Sequence, residues 1–223
     1  MRIVAVADTH LFHQEGFDVP EGDVFVHAGD MCRGGTMREL ERAAAWIRSL
    51  PHARKVVVAG NHDWPFARPA ERDRARALLG DGVTYLEDAC ATIDGLSFYG
   101  SPWQPAFHDW AFNLPRGRAL AKVWAKIPER VDVLITHGPP AGFGDATSHC
   151  HREGCADLLA RVREVRPRAH LFGHIHESGG AWTDGPTTFV NCTTWECDRA
   201  PTVLDLDASN APRLVHVPPA RRS

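Results

Sequence analysis

The chain lacks a strong excess of either charge: 25 Lys and Arg stand against 28 Asp and Glu over 223 residues, a net of -3. Binding to nucleic acid or anionic membranes by general electrostatics needs a positive surface, so this balance argues against that class. No apolar stretch approaches the length of a membrane-spanning helix. The opening MRIVAVADTH has neither the apolar core nor the small-residue cleavage site of a secretory signal. A cytoplasmic location is therefore expected, with the six cysteines as reduced thiols. Tight cysteine pairs are also missing. Cys150 and Cys155, like Cys192 and Cys197, are five positions apart, wider than the usual zinc-knuckle pair, although His149 and His151 beside Cys150 keep a structural zinc as a minor alternative. Repeats, low-complexity segments and linkers are absent. The length suits one domain over residues 1–217, with 218–223 expected as a disordered tail.

What is present is a series of short apolar runs: Ile3 to Ala7, Val24 to His27, Val56 to Ala59, Val131 to Thr136 and His170 to Phe172. Their bulky, often β-branched residues read as buried strands. Helical patterns lie between them. Thr36 to Leu50 opens with Thr36 and Glu39 at capping-box spacing and carries Met37, Leu40, Ala44, Ile47 and Leu50 on one face. Further helices are expected at about 68–79, 116–127 and 153–165. Closely spaced strands at Val83 to Tyr85, Ala89 to Ile93 and Leu96 to Tyr99, with Asp94-Gly95 as a hairpin turn, break the alternation. Strands at Ala181 to Thr183, Thr187 to Asn191 and Thr202 to Leu206 do so again. This order predicts an α/β protein of two sheets packed face to face with helices outside.

The thirteen histidines matter because of where some of them fall. Five predicted strands run directly into polar motifs: Asp8-Thr9-His10, Gly29-Asp30, Gly60-Asn61-His62-Asp63, Thr136-His137-Gly138, and Gly173-His174-Ile175-His176. In α/β sheets, sites form in the crevice beyond the carboxyl ends of strands, so these motifs should converge. Asp8 and His10 are two apart, which on an extended segment puts both on one side, and His174 and His176 repeat the spacing. Mixed carboxylate, imidazole and amide donors suit borderline divalent ions. Seven candidate ligands are too many for one ion, whereas two ions sharing one carboxylate fit the count. Any one of these motifs alone would read better as a helix cap or a satisfied polar residue.

As an ordered set, Asp8-x-His10, Gly29-Asp30 with Gly35, Gly60-Asn61-His62-Asp63, Thr136-His137 and Gly173-His174-x-His176 resembles the calcineurin-like metallophosphoesterase superfamily over about residues 3–207. Within it the chain is most similar to the MPPED (metallophosphoesterase domain-containing) group. Tyr99-Gly100-Ser101-Pro102-Trp103-Gln104-Pro105 and the stretch from Trp110 to Gly117 carry that finer likeness. The resemblance implies a four-layer α/β/β/α sandwich of two mixed sheets flanked by helices. It also implies a dinuclear centre: Asp8, His10 and His176 on one metal, Asn61, His137 and His174 on the other, and Asp30 bridging. His62 would face the substrate as general acid, positioned by Asp63. Some mammalian members of the group carry Gly where His174 stands, which weakens their second metal site. His174 is kept in this sequence.

The activity implied is hydrolysis of a small phosphodiester, such as a cyclic nucleotide, by attack of a hydroxide bridging two divalent ions about 4 Å apart. Manganese is the first expectation, and iron, zinc, nickel and cobalt also suit the ligands. Phosphomonoester hydrolysis by the same centre is the alternative. A non-catalytic interaction scaffold and a DNA nuclease are weaker readings, because no ligand is missing and the net charge of -3 speaks against the basic groove a duplex needs. No membrane association and no stable nucleic-acid complex are expected. The aromatics from Trp103 to Phe112 fit a nucleobase-stacking rim, a sealed loop or a homodimer contact.

Overall fold

A computed structural model describes residues 1–14, 17–207 and 211–220. The first sheet takes β1 (Arg2–Val6), β2 (Val24–Ala28), β3 (Arg54–Val58) and β4 (Val83–Tyr85). The second begins with the hairpin β5 (Ala89–Ile93) and β6 (Leu96–Ser101), whose turn places Asp94 and Gly95 at φ 47° and 85°. Two positive φ values in a two-residue turn match the right-handed twist of the flanking strands, and Asp-Gly accepts them at low cost. A two-residue pair follows, β7 (Gln104–Pro105) with β8 (Asn113–Leu114), then β9 (Val133–Thr136), β10 (Ala169–Phe172), β11 (Gly180–Asp184) and β12 (Thr187–Asn191). β13 (Thr202–Asp205) and β14 (Arg213–His216) return to the first sheet. The strand orders are β14-β13-β1-β2-β3-β4 and β11-β12-β10-β9-β6-β5. Both sheets are mixed: β1 to β4 run parallel while β13 is antiparallel to β1, and β6, β9, β10 and β12 run parallel between antiparallel edges.

The expected four layers are present. Alternate residues of each strand face inward, so Ala5, Val26 and Val56 of the first sheet pack against Phe98, Ile135 and Leu171 of the second in one apolar layer. Outward residues of the first sheet, such as Val6, Phe25 and Val57, are covered by α1 (Met37–Ser49), α2 (Trp64–Ala67) and α3 (Arg72–Leu79). Tyr99, Leu134 and Phe172 of the second are covered by α4 (Arg118–Trp124) and α5 (Ala156–Val165).

In α1, the Thr36 side chain accepts from the Glu39 amide and the Glu39 carboxylate takes the Thr36 amide, the capping box that the sequence predicts. Leu40, Ala43, Ala44 and Ile47 bury the apolar stripe, and Leu50 turns extended ahead of Pro51. Truncating Leu40 would cost about 2–5 kcal/mol.

Three boundaries differ from expectation. The helix expected from residue 68 starts only at Arg72, as α3, and an unexpected short α2 ends before it at Ala67; Pro69 between them has no amide to donate to a helical turn. α5 starts at Ala156 rather than near 153, with Cys155 Sγ accepting from the Leu158 amide as its cap. β14 had no apolar alternation strong enough to announce it, and all four of its residues are exposed. Pro218 and Pro219 accept hydrogen bonds from the buried Arg199 guanidinium, and residues 221–223 of the expected tail lie outside the described residues.

Candidate metal centre

β1, β2 and β3 are parallel in one sheet, β9 and β10 in the other, and their carboxyl ends open on one crevice. Main-chain and side-chain bonds stitch those ends together across the sheets. The Asp8 amide donates to Gly29 O at 3.0 Å, the His174 amide donates to the Asp8 carboxylate at 3.0 Å, and His137 Nδ1 meets Ala28 O at 3.0 Å. Asp8, His10, Asp30 and His174 all lie at positive φ, between 43° and 72°. Asp and His tolerate this region better than most residues, but it still stores strain that the surroundings must hold. Gly60 is required by a close approach: a Cβ there would overlap Asp30 Oδ1 and lie 2.7 Å from His137 Cε1.

Asp63 is the internal clamp of this arrangement. Its fully buried carboxylate accepts from the amides of Gly60 at 2.8 Å, Asp30 at 2.9 Å, Met31 at 3.3 Å and Cys32 at 2.9 Å. Burial and the nearby Asp30 charge push its pKa up, and the amide donors oppose that rise. Asp63, expected to position His62, is engaged by those amides, and the His62 ring takes another partner. His62 Nδ1 lies 2.6 Å from Arg33 O, and the His62 amide donates to Asp30 Oδ1 at 2.8 Å. A carboxylate already committed to backbone amides has no geometry left for that ring.

The donor atoms fall into three overlapping groups, each within 4.8 Å: Asp8, His10 and His176; Asp30, His137 and His174; and His10, Asp30 and His62. The first two match the ligand sets implied by resemblance, and Asp30 lies between them, 3.7 Å from His10 Nε2 and 3.4 Å from His137 Nε2. Asn61 Oδ1 joins the second group at 2.9 Å from His137 Nε2. The chemistry of these donors fits divalent cations. Carbonyl oxygens of Cys32 and Ala28 hold Nδ1 of His10 and His137, so Nδ1 carries a hydrogen and Nε2 is the nitrogen turned toward Asp30 and available to a metal. Lone pairs of Nε2, Asn61 Oδ1 and Asp30 then converge on one point, an arrangement that needs a positive charge there.

In the metal-free protein a proton supplies that charge. Burial would lower the His137 pKa, but the Asp30 carboxylate raises it to about 9. Asp30 is held well below the ordinary carboxylate range: burial opposes this, and His137, His10 and His62 outweigh it. His174 is lowered to about 3, by burial first and then by the His137 charge, which favours the neutral ligand form.

Asp30, Asn61, His174 and His176 form the floor of a cleft of about 470 Å³, with the other donors beneath them. One wall is the aromatic segment, and the structure divides its residues. Trp103 and Phe112 pack toward the helices of the first sheet, as the sealed-loop reading expects. Phe107, His108 and Trp110 line the cleft, as the rim reading expects, and Phe107 is half exposed. The half-buried Trp110 ring lies against His62, at 4.1 Å between centroids. Arg116 and Glu153 line the cleft too, with Arg116 donating to Gly154 O and Glu153 O.

Residues 1–178 match the calcineurin-like phosphoesterase family. This chain belongs to that family. It is 40% identical over 245 residues to human metallophosphoesterase domain-containing protein 1, covering 100% of this chain and 72% of the relative. It is 27% identical over 207 residues to the 3',5'-cyclic adenosine monophosphate phosphodiesterase CpdA of Escherichia coli O157:H7, covering 79% and 70%. One solved crystal structure superposes with a TM-score of 0.74 at 19% identity over 97% of this chain and 98% of the other, a likeness of fold.

Metallophosphoesterases hold divalent metals, and the structure brings candidate donor groups together. Sequence reasoning missed the Asp63 clamp, the Arg33 carbonyl that pins His62, and Arg116. The cysteines take other places: Cys155 accepts from Trp124 Nε1 at 3.3 Å, Cys192 donates to Phe172 O at 3.1 Å, and Cys150 is exposed. Among the described residues, no group of three clustered donors includes a cysteine. No described helix is long and apolar enough to cross a membrane.

Proposed function

We propose that this metallophosphoesterase hydrolyses small phosphodiesters with two divalent ions, manganese first among the candidates. Asp8, His10 and His176 would hold one ion, Asn61, His137 and His174 would hold the other, and Asp30 would serve both. The observation that carries this reading is the meeting of two donor groups at Asp30 on the floor of a cleft. When bound, such ions supply Lewis-acid activation of water and neutralise charge on the phosphoryl oxygens.

The chain's own residues do the rest. Asp30 is kept ionised, and its second oxygen, Oδ1, is occupied by the His62 amide, so the carboxylate cannot swing away from the donors. His62 has Nδ1 committed to Arg33 O, which leaves Nε2 as the nitrogen that gives a proton to the departing alkoxide. Such a role is worth about two to four powers of ten. The aromatic wall and the modest cleft favour a substrate of nucleotide size. Diester over monoester is favoured by the identity to a relative named as a cyclic AMP phosphodiesterase. A cytoplasmic location goes with such a substrate.

The test is hydrolysis of bis(p-nitrophenyl) phosphate by metal-stripped protein before and after addition of manganese, beside Asp30→Ala. Activity that returns with metal in the parent and stays absent in the variant is expected. Inactivity with every divalent ion tried would remove the enzymatic reading and leave the scaffold.

A further inference from the structure

We infer that Trp110 is a positioning residue for His62: the indole closes the solvent side of the imidazole and holds it in the orientation from which it can protonate a leaving group. The inference rests on the role proposed above for His62 and extends it to the aromatic loop.

His62 sits at the mouth of the cleft, and its backbone amide is anchored on Asp30 Oδ1. The ring itself has one hydrogen bond, from Nδ1 to Arg33 O, and that bond is exposed. One exposed bond fixes the direction of Nδ1 but leaves the ring free to swing about it. Two ring contacts remove that freedom. His10 meets it edge to face, at 4.6 Å between centroids and 78° between planes. On another side lies Trp110, at 4.1 Å and 32°, close enough for broad face contact. His10 is buried and fixed by Cys32 O, whereas Trp110 is half-buried and faces the cleft.

Trp110 is not a loose surface aromatic. The neighbouring Ala111 amide donates to Asn61 O at 3.2 Å, which ties the loop to the residue before His62. Gln104 Nε2 donates to Ala111 O at 2.9 Å and to Asn113 Oδ1 at 3.0 Å, and Asn113 Nδ2 returns bonds to Phe107 O and His108 O. The loop is thus preorganised by two side-chain amides, and the indole is delivered to one place. Groups of this kind matter because a displacement of about 1 Å at a proton donor can cost about a hundredfold in rate.

The experiment uses manganese-loaded full-length protein and a series of aryl phosphodiesters whose leaving groups run from p-nitrophenolate to phenolate. Trp110→Leu keeps an apolar side chain of some bulk but removes the flat ring, and Trp110→Phe keeps a ring. His62→Ala should steepen the dependence of kcat on leaving-group basicity. Trp110→Leu should steepen it in the same direction, losing about tenfold on the phenyl ester and about twofold or less on the p-nitrophenyl ester. Trp110→Phe should recover most of that loss. A second readout needs no turnover: ring-proton resonances of His62 in the metal-free protein should be displaced upfield by the indole and move back in Trp110→Leu. If Trp110→Leu raises KM or lowers kcat equally across the series, or leaves the His62 resonances in place, the inference fails while the His62 role stands. If His62→Ala keeps the parent slope, the His62 role fails and takes the inference with it.

Discussion

The floor and the aromatic wall of the cleft are built in opposite ways. The floor gathers residues from five strand ends, far apart in the chain, and holds them by buried charge, positive-φ backbone and amides converging on Asp63. The wall is one continuous excursion between β7 and β8, held by the side-chain amides of Gln104 and Asn113. In the floor each group is restrained by several others, so a single loss propagates. In the wall the restraints are local, so shape can change without disturbing the fold. Chemistry common to many substrates belongs on the first kind of structure, and discrimination among them on the second.

The comparison breaks most sharply at Asp30. Its carboxylate lies 3.7 Å from His10 Nε2 in one donor group and 3.4 Å from His137 Nε2 in the other, and it also orders His62, so Asp30→Ala should lower kcat by about a thousandfold or more. Metal content after dialysis should fall below that of His176→Ala, which removes a donor from one group and should leave the other loaded. Equal metal content in the two variants would mean that Asp30 is not shared. Asp63→Asn comes next. Half of the amide head group presents N–H where backbone N–H groups already point, and charge-assisted bonds are lost. A loss of about 3 kcal/mol in urea unfolding is expected. A change under about 0.5 kcal/mol would show that the floor is held by something else.

Acid should also separate the floor and its supports from the wall. His27 and His170 lie beneath the site, each fully buried and lowered by burial to about 3. Unfolded, each titrates near 6.5, so the folded state binds fewer protons between those values. Their contribution is complete above pH 6.5 and is lost as pH falls from there toward 3, by a few kcal/mol in order of magnitude. Asp30, with its depressed pKa, acts in the same direction in acid. His137 has the opposite sign: raised to about 9, it stabilises fully below 6.5 and loses that contribution as pH rises through 9 in metal-free protein. Urea midpoints between pH 4 and 10 should therefore fall at both ends. A flat profile would contradict the buried-histidine account.

Much of the floor was legible because its signal is simple: an apolar run gives a strand, and a polar residue directly after it gives a strand-end position. Asp8, Asp30, Asn61, His137 and His174 were all placed that way. The α1 capping box was legible for the same reason, since it depends on residues three apart. Asp63 was harder. Its partners are backbone amides of residues 30 to 32, and main-chain donors leave no letter in the sequence. The division of the aromatic segment was not legible either. Period and composition are alike for Trp103 and Trp110, and only the β7–β8 pairing decides which turns to the core and which to the cleft.

The smallest expected effect tests the wall alone. Asn113 accepts from Gln104 and donates to the carbonyls of Phe107 and His108, so Asn113→Ala frees the tip of the loop without touching the floor. Hydrogen bonds of this kind contribute about 1 kcal/mol net, and those that are partly exposed contribute less. Unfolding should shift by about 1 kcal/mol or less. The candidate donors of the floor are untouched in this variant, so manganese affinity should be unchanged. With bis(p-nitrophenyl) phosphate, whose leaving group needs little protonation, kcat should stay within about twofold. KM should rise by roughly threefold to tenfold, because ordering the loop is then charged to substrate binding. A fall in manganese affinity comparable to that of His176→Ala would show that wall and floor are one cooperative unit, and the division drawn between them would not hold.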